Sequence, residues 1–203
     1  MFIKFFKSNI FFIITLVILA VVAFSPDAKA ILMRGVMSTG ILSPDVSQVA
    51  GEAKEPGNPS GETPAAPLVE SVSFTSADGR TIDLARLKGK VVFLNFWTTW
   101  CPPCIAEMPS INRLYEKLKE NKDLVFVLAD ADGKLERSTA FMKKKNFALP
   151  VYIPASPIPA QLFRGSLPTT VIINKNGRIV FAHEGMADYN TPEMEKALKD
   201  LAK

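Results

Sequence analysis

A mixed α/β layer fold is what this 203-residue chain predicts, and three observations carry the prediction. Val91–Trp97 and Leu124–Ala129 are nearly continuous apolar runs, the pattern of strands covered on both faces. Each is followed by an amphipathic stretch, about Pro102–Glu120 and Leu135–Asn146, so strand and helix alternate as they do when helices cover a sheet. The chain then closes with strand, turn, strand and helix.

The elements follow in order. Val69–Thr75 alternates apolar and polar residues, as a half-buried strand does, and Asp78-Gly79 turns it into a partner at Thr81–Leu84. Together they predict an N-terminal β-hairpin added to the sheet. Gly89-Lys90 leads into the first buried strand. In the helix that follows, Ile105, Met108, Ile111, Leu114, Tyr115 and Leu118 recur at helical spacing. Pro109 inside it should bend it, because proline removes one hydrogen bond and crowds the preceding turn. Pro150–Ile153 reads as a short extended piece, and Pro159–Phe163 as a short helix in a loop. Thr169–Ile173 and Ile179–His183 form a hairpin across Asn174-Lys175-Asn176-Gly177. The last helix, about Pro192–Leu201, has Thr191 as its N-cap.

Ahead of this domain the chain has a different character. Lys4 and Lys7 precede the apolar run Ile10–Phe24, interrupted only by Thr15, and Ala28-Lys29-Ala30 has the small-x-small form of a cleavage site. Residues 1–30 therefore read as a signal peptide or an N-terminal membrane anchor, with residues 10–24 as the tether. No cysteine follows the run to accept a lipid. Gly- and Pro-rich residues 31–67, with no sustained hydrophobic period, read as a flexible linker, and 68–203 as a single folded domain. The formal charge is only +4, partly from Lys4, Lys7 and Lys29, with no basic cluster of the kind that binds nucleic acid.

The chain has two cysteines and one histidine, too few for a disulfide scaffold or a four-cysteine zinc site. No metal or other cofactor is expected. Both cysteines lie in Cys101-Pro102-Pro103-Cys104, where a buried strand passes into a helix. Two thiols three apart in a first helical turn can close a small disulfide, and the helix end stabilises a thiolate on the first. Pro102 and Pro103 suit this position, where backbone N–H groups lack intrahelical partners. Cys101 is thus the expected nucleophile and Cys104 the buried resolving thiol. A static crosslink is the alternative, but so small a loop adds little by chain entropy.

The segment Gly89–Cys104, continuing to Glu107, Met108 and Pro109, resembles the TlpA/ResA-type exported thioredoxin-like thiol–disulfide oxidoreductases. Leu167-Pro168-Thr169-Thr170, Ile172–Val180 and Glu184-Gly185 extend the resemblance in the right order. It implies a thioredoxin-like fold and a cis peptide bond before Pro168, which would lie against the cysteine pair. The backbone of Leu167 would then pair with an extended substrate, and Trp100 would form part of the apolar rim around Cys101. Where cytoplasmic thioredoxins keep a buried aspartate, this sequence has Asn95, which cannot act as a base. Glu107, three residues after Cys104 and on the same helical face, is assigned to the active site by the resemblance. Its role would be to tune the thiols or to move the proton of Cys104. A solvated first-turn acid favoured by the helix dipole is the other reading.

The resemblance further implies protein thiols or disulfides as substrates and a membrane electron donor that recharges the pair. It places the domain in the bacterial periplasm or on the outer face of the cytoplasmic membrane. Uses in the family include preparing apocytochrome c for haem attachment. The expected function is disulfide reduction. The alternatives are a thiol peroxidase, for which Thr98 fits but Leu94 replaces the expected proline, and a disulfide oxidant or peptide-binding module of the same fold.

Overall fold

The computed structural model describes residues 2–37, 43, 44, 46 and 71–203. Most of the expected linker, and the first residues of the expected domain, lie outside the described residues.

Two helices come first, α1 (Phe2–Phe24) and α2 (Pro26–Met37). From Ile10 onward α1 leaves its large apolar side chains exposed, Phe11 and Phe24 most of all. Among the described residues no single helix is long and apolar enough to cross a membrane. Ile10–Phe24 and Pro26–Gly35 meet that requirement only as a pair, with a 90° bend between them. Residues 31–37, expected as the start of the linker, complete α2 instead. The reason is a stripe that crosses the expected boundary. Ala30, Met33 and Met37 fall at helical spacing and pack on Ile105 and Ala106.

The hairpin of β1 (Ser73–Ser76) and β2 (Thr81–Asp83) follows, and a single 3₁₀ turn, Leu84–Leu87, leads to β3 (Val91–Trp97). Next come α3 (Pro102–Leu118), β4 (Leu124–Asp130), α4 (Leu135–Lys145), β5 (Val151–Pro154), β6 (Thr169–Ile173), β7 (Ile179–Glu184) and α5 (Pro192–Leu201). The strands form one mixed sheet of order β2-β1-β5-β4-β3-β6-β7. β3 runs parallel to β4 and antiparallel to β6, which places it in the sheet interior. Every residue of β3 is buried. Alternation sends Phe93 and Trp97 into a cluster with Met108, Ile111, Leu114, Met194 and Leu198, and sends Val92, Leu94 and Phe96 into another with Phe74 and Leu162. Asn95 shares the face of Phe93 and Trp97, and that fixes where its amide can reach.

Three local outcomes follow from side-chain chemistry. The short helix expected at Pro159–Phe163 is a single turn, closed by the Leu162 and Phe163 N–H groups on the Pro159 carbonyl. Thr191 caps α5 as expected, accepting from the Met194 N–H at 3.2 Å. Pro109 stays inside α3. Having no N–H, it leaves the Ile105 carbonyl without its helical donor, and Arg34 Nη2 of α2 donates to that oxygen at 3.0 Å.

Candidate active site

The site is built at the C-terminal end of β3. Cys101 takes the N-cap position of α3 with extended backbone, and Pro102 and Pro103 occupy the first turn. Cys101 and Cys104 form a disulfide with S–S 2.03 Å and Cα–Cα 5.3 Å. The Cys104 N–H donates to Cys101 Sγ at 3.3 Å, so a helix-end donor is aimed at the first sulfur. Cys104 is fully buried and Cys101 is 3% exposed.

Glu107 is not a solvated acid. It is fully buried. Asn95 Nδ2 donates to its Oε1 at 2.8 Å and the Ala187 N–H to its Oε2 at 3.3 Å. Burial pushes its carboxyl up to about 8, against the smaller downward pull of these two donors. Asn95 Nδ2 also donates to Thr170 Oγ1 at 2.9 Å, across the β3–β6 pair in which the two residues face each other. Ser110 ties the same loop to the helix: its hydroxyl donates to the Glu107 carbonyl and accepts from the Tyr189 N–H. Tyr189 stands in the same interior, its hydroxyl pushed well up by burial and then by the neighbouring Glu107 charge.

The peptide bond between Leu167 and Pro168 is cis. Pro168 is buried, and Leu167 packs against the cluster that contains both cysteines. The Pro168 carbonyl accepts from the Gly185 N–H at 2.8 Å, so one loop, Gly185–Tyr189, joins the proline to Glu107. Trp100 is half exposed, and its indole N–H donates to Asp132 Oδ2 at 2.6 Å.

The structure therefore pairs Cys101 with Cys104 at the start of α3, buries Glu107 one turn further along that helix, packs Leu167 on the apolar cluster that includes both cysteines, and leaves Trp100 at the surface. Thr170, Ala187 and Asp132 were not singled out by sequence reasoning as partners in the site, and Asn95 was singled out for its position but not as the donor to Glu107. Asn95 did carry a signal, as the one polar residue within the apolar run of β3. Ala187 acts through its backbone N–H, which no side-chain pattern announces.

The chain is similar to known proteins. The Redoxin family model matches residues 59–198. A "Thiol-disulfide oxidoreductase ResA" of Bacillus cereus is 43% identical over 107 residues, 52% of this chain and 61% of that protein. The protein of the same name from Bacillus thuringiensis (strain Al Hakam) is 42% identical over 128 residues, 63% of this chain and 72% of that protein. Among solved structures, a thiol:disulfide interchange protein of the thioredoxin family from Chlorobium tepidum TLS superposes with a TM-score of 0.55 at 22% identity. That match covers 71% of this chain and all of the other, and it shows the thioredoxin-like fold.

Proposed function

This chain belongs to the Redoxin family and, within it, to the ResA-type thioredoxin-like thiol–disulfide oxidoreductases, and from that premise we propose that it reduces disulfides in other proteins. The observation that carries the reading is the Cys101–Cys104 disulfide, formed at a helix start beside a buried acid.

In the reduced enzyme the Cys101 thiolate, stabilised by the α3 N-terminus, attacks one sulfur of the substrate disulfide. The S–S bond breaks, and the released substrate thiolate takes up a proton. A mixed disulfide now joins Cys101 to the substrate. Cys104 loses its proton and attacks Cys101 Sγ, which frees the second substrate thiolate and closes the Cys101–Cys104 bond. The two electrons that reduce the substrate thus come from the enzyme dithiol.

Glu107 is proposed as the acceptor of the Cys104 proton. A carboxyl at about 8 is close to the ordinary thiol value of about 8.5, so the proton passes in either direction at little cost. Trp100, Leu167 and Pro168 are proposed to seat an extended substrate segment over the disulfide. The domain is proposed to act as an exported protein on the outer face of the cytoplasmic membrane, tethered through residues 10–24 and recharged by a membrane dithiol donor. The exposed apolar surface of α1 supports the tether.

The test uses two variants with a disulfide-bonded protein substrate. Cys101→Ser should bring turnover to background. Cys104→Ser should accumulate a mixed disulfide through Cys101, visible as a mass increase reversed by a reductant. Turnover by Cys101→Ser, or no adduct with Cys104→Ser, would overturn the reading.

A further inference from the structure

We propose that the cavity at the foot of α1 binds the headgroup of an anionic phospholipid and so seats the domain directly on a membrane surface. The expected picture is a domain held off the membrane by residues 31–67. The structure points elsewhere, because the segment directly after the apolar helix turns back onto the domain.

α2 is held there by three independent contacts. Arg34 supplies the donor that Pro109 denies to the Ile105 carbonyl. Ala30 and Met37 bury Ile105 and Ala106. Asp27 pairs with Lys145 at the end of α4, at 3.0 Å. The last contact fixes the end of α1 beside α4, since only Ser25 and Pro26 separate Phe24 from Asp27. The exposed Ile, Leu, Val and Phe side chains of Ile10–Phe24 thus project from a defined point on the domain. Such a surface belongs in lipid.

At that point lies a cavity of about 290 Å³, lined by Pro26, Asp27, Thr99, Arg137, Phe141 and Lys144 among others. Arg137 and Lys144 are exposed and make no ion pair among the described residues. Exposed Lys143 extends the basic edge. The acids do not cancel this charge: Asp27 is taken by Lys145, and Glu136 does not line the cavity. Two such cations in a concave site at the foot of an apolar helix match an anionic headgroup, whose acyl chains would lie along α1. Thr99 in the cavity wall directly precedes Trp100 in the chain, so a lipid held here brings the rim of the disulfide close to the bilayer.

The experiment places the full chain in vesicles of phosphatidylcholine, or of phosphatidylcholine mixed with phosphatidylglycerol. Amide hydrogen exchange is then read in the segment from Arg137 to Lys145. Anionic vesicles should slow exchange there by roughly fivefold or more, given the attraction of each cation to an anionic leaflet. Arg137→Glu with Lys144→Glu should abolish the slowing, and Arg137→Lys with Lys144→Arg should keep it. Equal exchange in both vesicle types overturns the proposal, as does slowing that survives the charge reversal. Inorganic phosphate that slows exchange equally in phosphatidylcholine vesicles would also overturn it, by making the site one for a free anion. The readout does not pass through the disulfide, so its failure is separate from a failure of the thiol chemistry.

Discussion

Glu107 and Asp130 are both buried carboxyl groups near the same end of the central strands, and their surroundings differ in a way that separates chemistry from structure. Asp130 ends β4 and accepts three hydrogen bonds, from the Asp132 N–H at 3.1 Å, the Lys134 N–H at 2.9 Å and Ser138 Oγ at 2.6 Å. It does the capping at the start of α4, where Lys134 in the N-cap position makes no side-chain bond of its own. Glu107 accepts two, of which the Ala187 bond is long at 3.3 Å. Two donors do not offset full burial, so the acid is pushed up to about 8, close to the ordinary thiol value. A carboxyl saturated with donors organises the fold. One that is short of them can exchange a proton.

The sharpest way to break this comparison is Glu107→Gln. The folded value of about 8 lies above the ordinary 4.5, so between those limits the folded chain keeps a proton that the unfolded chain has released. Stability from this group is therefore full at acid pH, falls as pH rises through the window, and is lost above about 8. Glutamine imitates the protonated acid at every pH. The variant should match the parent near pH 5 and exceed it near pH 9 by several kcal/mol, read by denaturant unfolding at each pH with the disulfide intact. Its rate of disulfide reduction should also lose the pH dependence centred near 8. Parallel stability curves for the two proteins would return Glu107 to a passive role.

Asp130→Ala tests the other half. It leaves three donors without an acceptor in a buried place, and the cost should be on the order of 2–3 kcal/mol. Denaturant unfolding reads the loss, and a cost well under about 1 kcal/mol would mean that Asp130 does not hold the start of α4.

The sequence made the frame of this site legible and hid its wiring. The apolar run 91–97, the cysteines at the helix start and the amphipathic spacing from Ile105 to Leu118 each impose a local constraint, and the sheet and α3 follow from them. Glu107 was placed on the correct helical face by its spacing from Cys104. Its burial was not legible, because it depends on Asn95 from β3 and on the backbone of Ala187, which is 80 residues away. Trp100 was legible as a partly exposed residue beside Cys101, but nothing in the sequence marked Asp132 as the acceptor that holds its indole. The helix over residues 31–37 was hidden for a similar reason. Ala30, Met33 and Met37 are too sparse to announce a helix until Ile105 and Ala106 are known to lie beneath them.

Arg34 offers a smaller test of the same principle, since the Ile105 carbonyl is a third buried acceptor whose fate depends on its donors. Arg34→Met keeps much of the apolar stem and removes the charge-assisted bond that replaces the N–H missing at Pro109. If α2 stays docked, the carbonyl is left dry and unpaired, at a cost of about 1–3 kcal/mol. If α2 lifts, water reaches the carbonyl and the cost falls to the lost burial of Ala30 and Met37. The smaller cost governs, so the expected loss of global stability is only about 1 kcal/mol. Amide exchange within α2 should accelerate more than exchange in α3, because α2 is the element that can leave. Equal acceleration in both helices would show that Arg34 stabilises α3 itself, and that the bond to Ile105 is part of the helix rather than a clasp upon it.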